Sequence, residues 1–361
     1  MLPSLAAIVH TFGPFAIKFP DGWPIAGIRW YGLSYLAGFF VGFLLVKRIL
    51  RVGRSTLMPE QTGDLAVSIA MGVVLGGRLG YVLFYKPSLL THFSSHAPFW
   101  GAIAINEGGM ASHGGMIGGV IALWWFARTA PRAVTSPTNP SSSAAPNVTP
   151  SVRGGHDWAH LGDLFAFGAP LGVFFGRLAN FVNAELLGRP ADSTLPWAVK
   201  FPQEMYQWDA MKLTEAQARL LPLMPDSIAT RDGDWIGWAV ARVQAHDPQV
   251  SEILLPMITA RHPSQLYAAL LEGLLVMAVL LIVWAKPRKP GVVGAIFCTT
   301  YGLVRIIGEF FREPDAHLKN AEFAAMNITR GQWLSAILLL AGAALWWYFS
   351  RRDTKPMGGW R

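Results

Sequence analysis

The chain has 361 residues, of which 52% are hydrophobic and only 14% are charged. A soluble domain usually carries about 25% charged residues, so the composition argues against a soluble protein. A net charge of +8 would suggest a nucleic-acid partner in a soluble protein, but the placement of the basic residues explains it better, and we expect no nucleic acid. The single cysteine, Cys298, excludes an intrachain disulfide and a thiolate metal site.

The apolar residues occur in runs of about 20, the length that a helix needs to cross a bilayer. These runs predict an all-α integral membrane protein with about seven transmembrane helices. The predicted spans lie at roughly 26–46, 64–85, 101–127, 160–182, 265–285, 291–310 and 332–349. Within them, glycines recur at a spacing of four, as at Gly72/Gly76 and Gly114/Gly118, which predicts close helix packing.

The basic residues orient these spans. Fourteen Lys and Arg residues follow the first, third, fifth and seventh spans, whereas the short connections on the other side carry five. The positive-inside rule therefore places the N-terminus outside the membrane and the C-terminus in the cytoplasm.

Two long connections differ in composition. Residues 129–155 are rich in Ser, Thr, Pro and Ala, which is typical of a disordered linker, here on the cytoplasmic side. Residues 183–264 contain several tryptophans among mixed charges and predict a small folded extracytoplasmic head. The expected organisation is helices 1–4 with the linker over 1–182, the head, and helices 5–7 with a cytoplasmic tail over 265–361.

Ionisable residues within hydrocarbon are costly and mark functional sites by default. In this chain they are Arg29, Arg78, His113, Arg177, Glu272, Arg305 and Glu309. Around His113, residues 108–115 are rich in glycine, which leaves the backbone free to bend and lets a lipid approach closely. An imidazole titrates near neutral pH, so His113 is a candidate general base; the alternative is a structural histidine bonded to a neighbouring helix.

Residues 176–189 lie where the fourth span leaves the membrane and are dense in polar side chains. Arg177 and Asn180 are three positions apart and share a helix face, and a guanidinium beside an amide suits a phosphate group. Glu185 could pair with an arginine. The alternative is an ordinary helix end with an interfacial arginine.

Two further polar clusters follow. Arg305 and Glu309 are four positions apart and predict an ion pair, with Tyr301 one turn earlier on the same face; the alternative is a purely structural pair. Residues 261–267 lead into Glu272, with Ser264 as a candidate helix N-cap, and are a candidate brace for the site. No group of residues has metal-ligand spacing, and a P-loop and a Gly-x-Ser-x-Gly motif are absent, so we expect neither a metal nor a cofactor.

At these clusters the sequence closely resembles the bacterial prolipoprotein diacylglyceryl transferases. Residues 176–188, the signature segment, are similar to that family's motif Gly-Arg-x-Gly/Ala-Asn-Phe-x-Asn-x-Glu-x-x-Gly. The segments at 29–32, 108–115, 261–267 and 305–315 also match in order, so the resemblance spans most of the chain. Ala179 stands where the family more often has glycine, and 129–155 and about 203–258 are longer than usual.

The resemblance implies an enzyme of the bacterial cytoplasmic (inner) membrane that performs the first step of lipoprotein maturation. Such an enzyme transfers the diacylglyceryl group of phosphatidylglycerol to the lipobox cysteine of a prolipoprotein signal peptide and releases glycerol phosphate. Its partners are these two substrates and membrane lipids. On this basis we assign substrate binding to Arg177, Asn180, Asn183, Glu185 and Gly188, and catalysis to His113, Arg305, Glu309, Tyr301 and Tyr31.

Two other classes of protein remain as alternatives. Buried Arg and Glu residues also occur along the pathways of transporters and lipid flippases, although seven spans with unlike motifs do not divide into two similar halves. A membrane scaffold without catalysis would not need Arg and His inside the bilayer.

Overall fold

The computed structural model describes residues 7–20, 22–23, 26–52, 55–95, 98–104, 109–135, 148–153, 155–229, 233–313 and 328–360. In chain order the helices are α1 (Trp30–Val52), α2 (Thr62–Phe84), α3 (Ser112–Thr129), α4 (Trp158–Ala166), α5 (Gly168–Val182), α6 (Ala210–Leu220), α7 (Asp226–Ala229), α8 (Trp235–Gln244), α9 (Pro248–Leu254), α10 (Ser264–Ala268), α11 (Val276–Trp284), α12 (Val292–Glu309) and α13 (Arg330–Arg351). The strands are β1 (Ile8–Val9), β2 (Phe15–Lys18), β3 (Gly27–Arg29), β4 (Pro131–Thr135), β5 (Val148–Arg153), β6 (Val199–Lys200) and β7 (Ala260–Arg261).

Six helical segments of the described chain are long and apolar enough to cross a membrane, which confirms the predicted all-α membrane class. They are Trp30–Val52, Pro59–Phe84, Trp158–Val182, Ser264–Trp284, Val292–Glu309 and Gly331–Arg351. Large apolar side chains on them, such as Phe39, Phe84 and Ile282, are exposed on the protein surface. Such a surface suits lipid rather than water. Arg29 precedes α1 and so lies outside the first span.

The predicted start of the third span, at residue 101, is wrong. Residues Gly101–Ile103 form a single 3-10 turn, and α3 begins only at Ser112. Gly109 adopts a positive φ of 78°, which ends any continuous helix before that point. With 18 residues, α3 has a length of about 27 Å, close to the thickness of the hydrocarbon core.

Close contacts of Cα atoms divide the chain into two units. The first comprises Met1–Phe39, Pro170–Val276 and Thr300–Leu340, and the second comprises Phe40–Ala169, Met277–Thr299 and Ala341–Arg361.

In the first unit, the region predicted as the head, residues 183–264, contains a hydrophobic core. Its core is made by α6, α8 and α9, which bury side chains such as Leu220, Val243 and Leu254. Each of these helices begins after an aspartate whose carboxylate accepts a backbone N–H, namely Asp209, Asp234 and Asp247. A small sheet in the order β1-β6-β7 joins the N-terminal segment to the head, with β1 parallel and β7 antiparallel to β6.

In the second unit, α2 and α3 pack against each other through glycines, as their spacing predicted. A Cβ atom added to Gly76 would lie 2.8 Å from the Cα of Gly118, too close for any side chain.

The structure differs from the predicted disordered linker at the two ends of that segment, because β4 and β5 pair antiparallel there. β-branched residues such as Val134 and Val148 favour strands, and residues 136–147 lie outside the described part.

Candidate active site

A buried cluster of arginines and glutamates lies in the first unit. Arg177 on α5 donates through Nε and Nη2 to Glu272 Oε2, at 3.2 and 2.9 Å. Arg305 on α12 forms an ion pair with Glu309, one turn later, and its Nη1 lies 3.4 Å from Glu272 Oε1. Glu272 has no solvent exposure, so its charge depends on these two partners. The predicted pair of Arg305 and Glu309 is confirmed.

The backbone around Glu272 departs from an ordinary α-helix. Residues Ala269–Leu275, between α10 and α11, form a π-helical segment. Such segments are rare and often occur at functional sites. Tyr301 joins the cluster here, because its hydroxyl donates to Glu272 Oε2 at 3.4 Å. Arg312 extends the cluster on the other side, with Nη1 3.7 Å from Glu309 Oε1.

This linked cluster is rich in guanidinium groups. Arg177, Arg305 and Arg312 gather around two glutamates (Glu272 and Glu309) in a largely buried region. A phosphodiester is a monoanion that guanidinium groups bind well.

The signature segment places a second polar group at the end of α5. The hydroxyl of Tyr31 donates to the carboxylate of Glu185, and the side-chain amide of Asn180 donates to the Tyr31 oxygen. Asn180 Nδ2 also lies 3.3 Å from Glu185 Oε2. The prediction that Glu185 pairs with an arginine is corrected, because among the described residues its carboxylate bonds to Tyr31 and Asn180. Local spacing could not predict Tyr31 as the partner of Glu185, because the two residues are far apart in the sequence.

The loop after α5 is unusually strained and is held in place by the first residues of α10. Ala184 and Leu186 both adopt a φ of 53°, which non-glycine residues rarely do. Gln265 Nε2 donates to the carbonyl of Glu185 at 2.6 Å, and Ser264 Oγ donates to the carbonyl of Leu186 at 3.1 Å. Ser264 is therefore not the predicted N-cap, since Pro263 holds that position and the Ser264 hydroxyl binds the loop.

Gly188 is enclosed by two other stretches of backbone. Arg261 Nη1 donates to its carbonyl at 2.9 Å. A Cβ atom at this position would clash with the carbonyl of His262 and would lie 3.1 Å from that of Phe311. A glycine is thus required here, and the segment 261–267 braces the signature segment.

Asn183 follows α5 directly, and its backbone N–H donates to the carbonyl of Ala179 at 2.9 Å. Its side-chain Nδ2 is buried and has no hydrogen-bond partner within the described residues. A buried amide without a partner costs free energy, so Asn183 is ready to donate to a bound group.

A cavity opens beside the arginine cluster. It is lined by Arg177, Leu186, Ser264, Gln265, Ala268, Arg305, Gly308 and Arg312. This lining comes from the signature segment, the bracing segment and α12. Arginines that the sequence placed in separate clusters therefore lie together at the cavity.

Comparison with known proteins identifies the family. The family model described as prolipoprotein diacylglyceryl transferase matches residues 21–140 and 143–348. The chain belongs to the prolipoprotein diacylglyceryl transferase family.

Individual relatives agree with this assignment over nearly their whole length. The chain is 39% identical to the phosphatidylglycerol–prolipoprotein diacylglyceryl transferase of Bdellovibrio bacteriovorus, over 98% of this chain and 97% of the relative. It is 34% identical to that of a Polaromonas species (97% and 95%) and 33% identical to that of Rhodospirillum rubrum (98% and 95%). None of these three is named as a transporter, so that alternative finds no support among them.

His113, the proposed base of this transferase, is the second residue of α3, and its side chain lies outside the described residues. Described residues that precede α3 are bound by Arg78, a buried arginine of α2 to which we assigned no role. Arg78 Nε donates to the carbonyl of Ala102 at 2.9 Å, and Nη1 donates to that of Gly109 at 3.2 Å. Carbonyl acceptors leave no local sequence pattern, which is why this arrangement was missed.

A second missed residue, Glu204, links the head of the transferase to the bracing segment. Arg261 Nε donates to Glu204 Oε2 at 2.7 Å, and Trp208 and Thr259 donate to Oε1, each at 2.9 Å. Burial opposes ionisation of Glu204, but these hydrogen bonds and the charge of Arg261 outweigh it and lower the pKa of its carboxyl group.

The described residues contain no group of three or more His, Cys, Asp or Glu side chains that could hold a metal ion. The described side chains of the site carry guanidinium, carboxylate, phenol and amide groups.

Proposed function

We propose that this chain transfers the diacylglyceryl group of phosphatidylglycerol to the lipobox cysteine of prolipoprotein signal peptides. The reaction forms a carbon–sulfur thioether and releases glycerol phosphate. Family membership supports this, and the observation that carries it is the cavity lined by Arg177, Arg305 and Arg312, three guanidinium groups of one buried cluster. Guanidinium groups suit the negatively charged phosphodiester of the lipid.

Binding of the donor falls to the signature segment. Arg177 and Asn180 hold the phosphoglycerol head, and the free amide of Asn183 adds a further donor. Glu185 keeps Asn180 in place through the bond it shares with Tyr31. Gly188 lets the loop pack against its brace and so fixes the position of these groups.

Departure of the phosphate requires positive charge near its oxygens. The thiol sulfur attacks the carbon of the diacylglyceryl unit that bears the phosphate. The C–S bond forms as the C–O bond breaks, and the electron pair of the C–O bond leaves with glycerol phosphate. Arg305, aligned by Glu309, stabilises the charge that builds up on the leaving group. No water takes part, so a site that excludes water suppresses hydrolysis of the lipid.

The thiol must lose its proton, because a thiolate is the better nucleophile. His113, or another group near it, accepts this proton in our proposal. Tyr301 contacts Glu272, and Tyr31 contacts Glu185, so each tyrosine is positioned to orient the lipid or the thiol.

The enzyme lies in the bacterial inner membrane with its N-terminus and head outside, as the positive-inside rule predicts. Prolipoproteins emerge on that side, and the signature segment meets them at the outer face. The acceptor thiol comes from the substrate, so Cys298 takes no part.

The proposal is tested by glycerol phosphate release from purified protein supplied with phosphatidylglycerol and a lipobox peptide. Lysine lacks the planar fork of arginine, so Arg177→Lys and Arg305→Lys should each lose about 100-fold in kcat/KM. Arg242→Lys in the head is the matched control and should retain full activity. Equal activity of all three variants would contradict the proposed site, and full activity of His113→Asn would remove His113 as the base.

A further inference from the structure

Of the polar side chains that line the cavity beside the arginine cluster, three can only donate hydrogen bonds and two can also accept them. Arg177, Arg305 and Arg312 present only N–H groups, because a guanidinium cannot accept a hydrogen bond. The Ser264 hydroxyl donates to the carbonyl of Leu186. Gln265 differs from the arginines, because its side-chain amide carries both a donor and an acceptor.

The two ends of the Gln265 amide have different surroundings. Nε2 donates to the carbonyl of Glu185 at 2.6 Å, which fixes the orientation of the amide, since Oε1 could not bind that oxygen. Oε1 is fully buried and has no hydrogen-bond partner within the part of the chain that the structure describes. The residue as a whole is only 2% exposed.

A buried acceptor without a partner is costly and calls for a ligand that carries a donor. The phosphate of a lipid diester offers only acceptors, which suit the three arginines but not Gln265. A glycerol head group offers hydroxyl donors beside that phosphate, so one ligand can satisfy both kinds of group.

We propose that Gln265 determines head-group specificity, with its Oε1 accepting a hydrogen bond from a hydroxyl of the glycerol head of the donor lipid. This inference rests on the proposed function, because it assigns a residue to recognition of the same donor. It separates two tasks within the cavity: the arginines bind the phosphate, and Gln265 distinguishes a hydroxylated head from an apolar one.

The test compares two donors that differ only in hydroxyl groups. Phosphatidylglycerol and phosphatidyl-1-propanol have the same charge and the same number of carbons in the head. Wild-type protein should prefer phosphatidylglycerol by about tenfold in kcat/KM, the factor that one hydrogen bond of about 1.4 kcal/mol gives. Gln265→Met should use both lipids with a ratio near one, whereas Gln265→Glu, which loses the same donor but keeps an acceptor, should retain the preference.

Ser264→Ala is the matched control for the bracing role. It removes the neighbouring bond to the loop, so activity should fall with both lipids while their ratio stays at the wild-type value. Native mass spectrometry of each variant with the two lipids measures the corresponding preference in binding. It therefore also reports on variants that fold but have no transferase activity.

A wild-type ratio near one, or an unchanged ratio in Gln265→Met, would overturn the inference about Gln265. Neither result would touch the proposed function, provided that the peptide gains a diacylglyceryl group. Wild-type protein that modifies no peptide from phosphatidylglycerol would instead contradict the proposed function itself.

Discussion

Glu272 is the residue on which the electrostatics of the site depend. It is fully buried and is shared by Arg177 and Arg305, so its charge offsets parts of two guanidinium groups at once. Burying charges is costly, and loss of one partner leaves the others uncompensated. The same cluster presents three guanidinium groups to the neighbouring cavity, which suits a site for an anionic lipid.

Replacing this carboxylate tests that account. Glu272→Gln keeps the shape of the side chain but leaves two buried arginines short of a counter-charge, so we expect a loss of about 3 kcal/mol in stability. Thermal unfolding in detergent measures it, and added phosphatidylglycerol should recover more stability in the variant than in the wild type. An unchanged unfolding midpoint would contradict the account.

The lowered pKa of Glu204 predicts how the stability of the protein depends on pH. Its folded-state pKa lies below the ordinary value of 4.5, so the stabilisation is fully present above pH 4.5 and is lost as the pH falls through the folded-state pKa. Glu204→Gln should be about 2 kcal/mol less stable than wild type at pH 7, because it loses charge-assisted hydrogen bonds. The difference in unfolding midpoint should narrow as the pH drops below 4.5.

Glu215→Gln is the control for that experiment, because Glu215 forms an exposed pair with Arg219 on α6. Exposed pairs contribute little, so this variant should match the wild type at every pH. A gap between Glu204→Gln and wild type that stays constant down to pH 3 would sink the proposed role of the Glu204 charge.

At the scale of elements, the sequence predicted what local spacing controls. The apolar runs predicted the helices, and the spacing of four predicted the pair of Arg305 and Glu309. The partner of Arg177 could not be found in this way, because Glu272 lies 95 positions away and meets it only through helix packing. The start of α3 was also missed, since an apolar run does not reveal residues before α3 that are bound by Arg78.

The signature segment provides a prediction about activity at the scale of elements. Gly188→Ala places a methyl group against the carbonyl of His262, which must shift the loop. A displacement of about 1 Å at a catalytic loop costs roughly 100-fold, so we expect kcat/KM for glycerol phosphate release to fall by that factor. Gly176→Ala, in the same segment, is the control: a Cβ there meets no atom within 4 Å, and activity should persist. Equal activity of both variants would argue against the requirement for glycine.

At the scale of the whole molecule, the distribution of basic residues predicts the orientation in the membrane. In our proposal, the predicted head, residues 183–264, faces the side on which prolipoproteins emerge. Cation–π contacts such as that of Arg351 over the ring of Trp347, at 4.6 Å, are typical of side chains at a membrane interface. The C-terminal end of α13 should therefore lie at a membrane surface, and the positive-inside rule predicts that this is the cytoplasmic one.

Labelling with a membrane-impermeant maleimide tests this orientation. In a Cys298→Ala background, Glu215→Cys on the head should be labelled in right-side-out vesicles, and Lys355→Cys in the tail only in inside-out vesicles. The opposite pattern would reverse the topology and would place the site away from its acceptor substrate.

The central claim is the transfer itself, and one measurement addresses it directly. Purified protein is incubated with phosphatidylglycerol of defined acyl chains and a lipobox peptide, and the intact mass of the peptide is recorded. The peptide should gain the mass of one diacylglyceryl group, with an equal amount of glycerol phosphate released, whereas a peptide with serine in place of the lipobox cysteine should gain none. A folded protein that leaves the cysteine peptide unmodified would contradict the account.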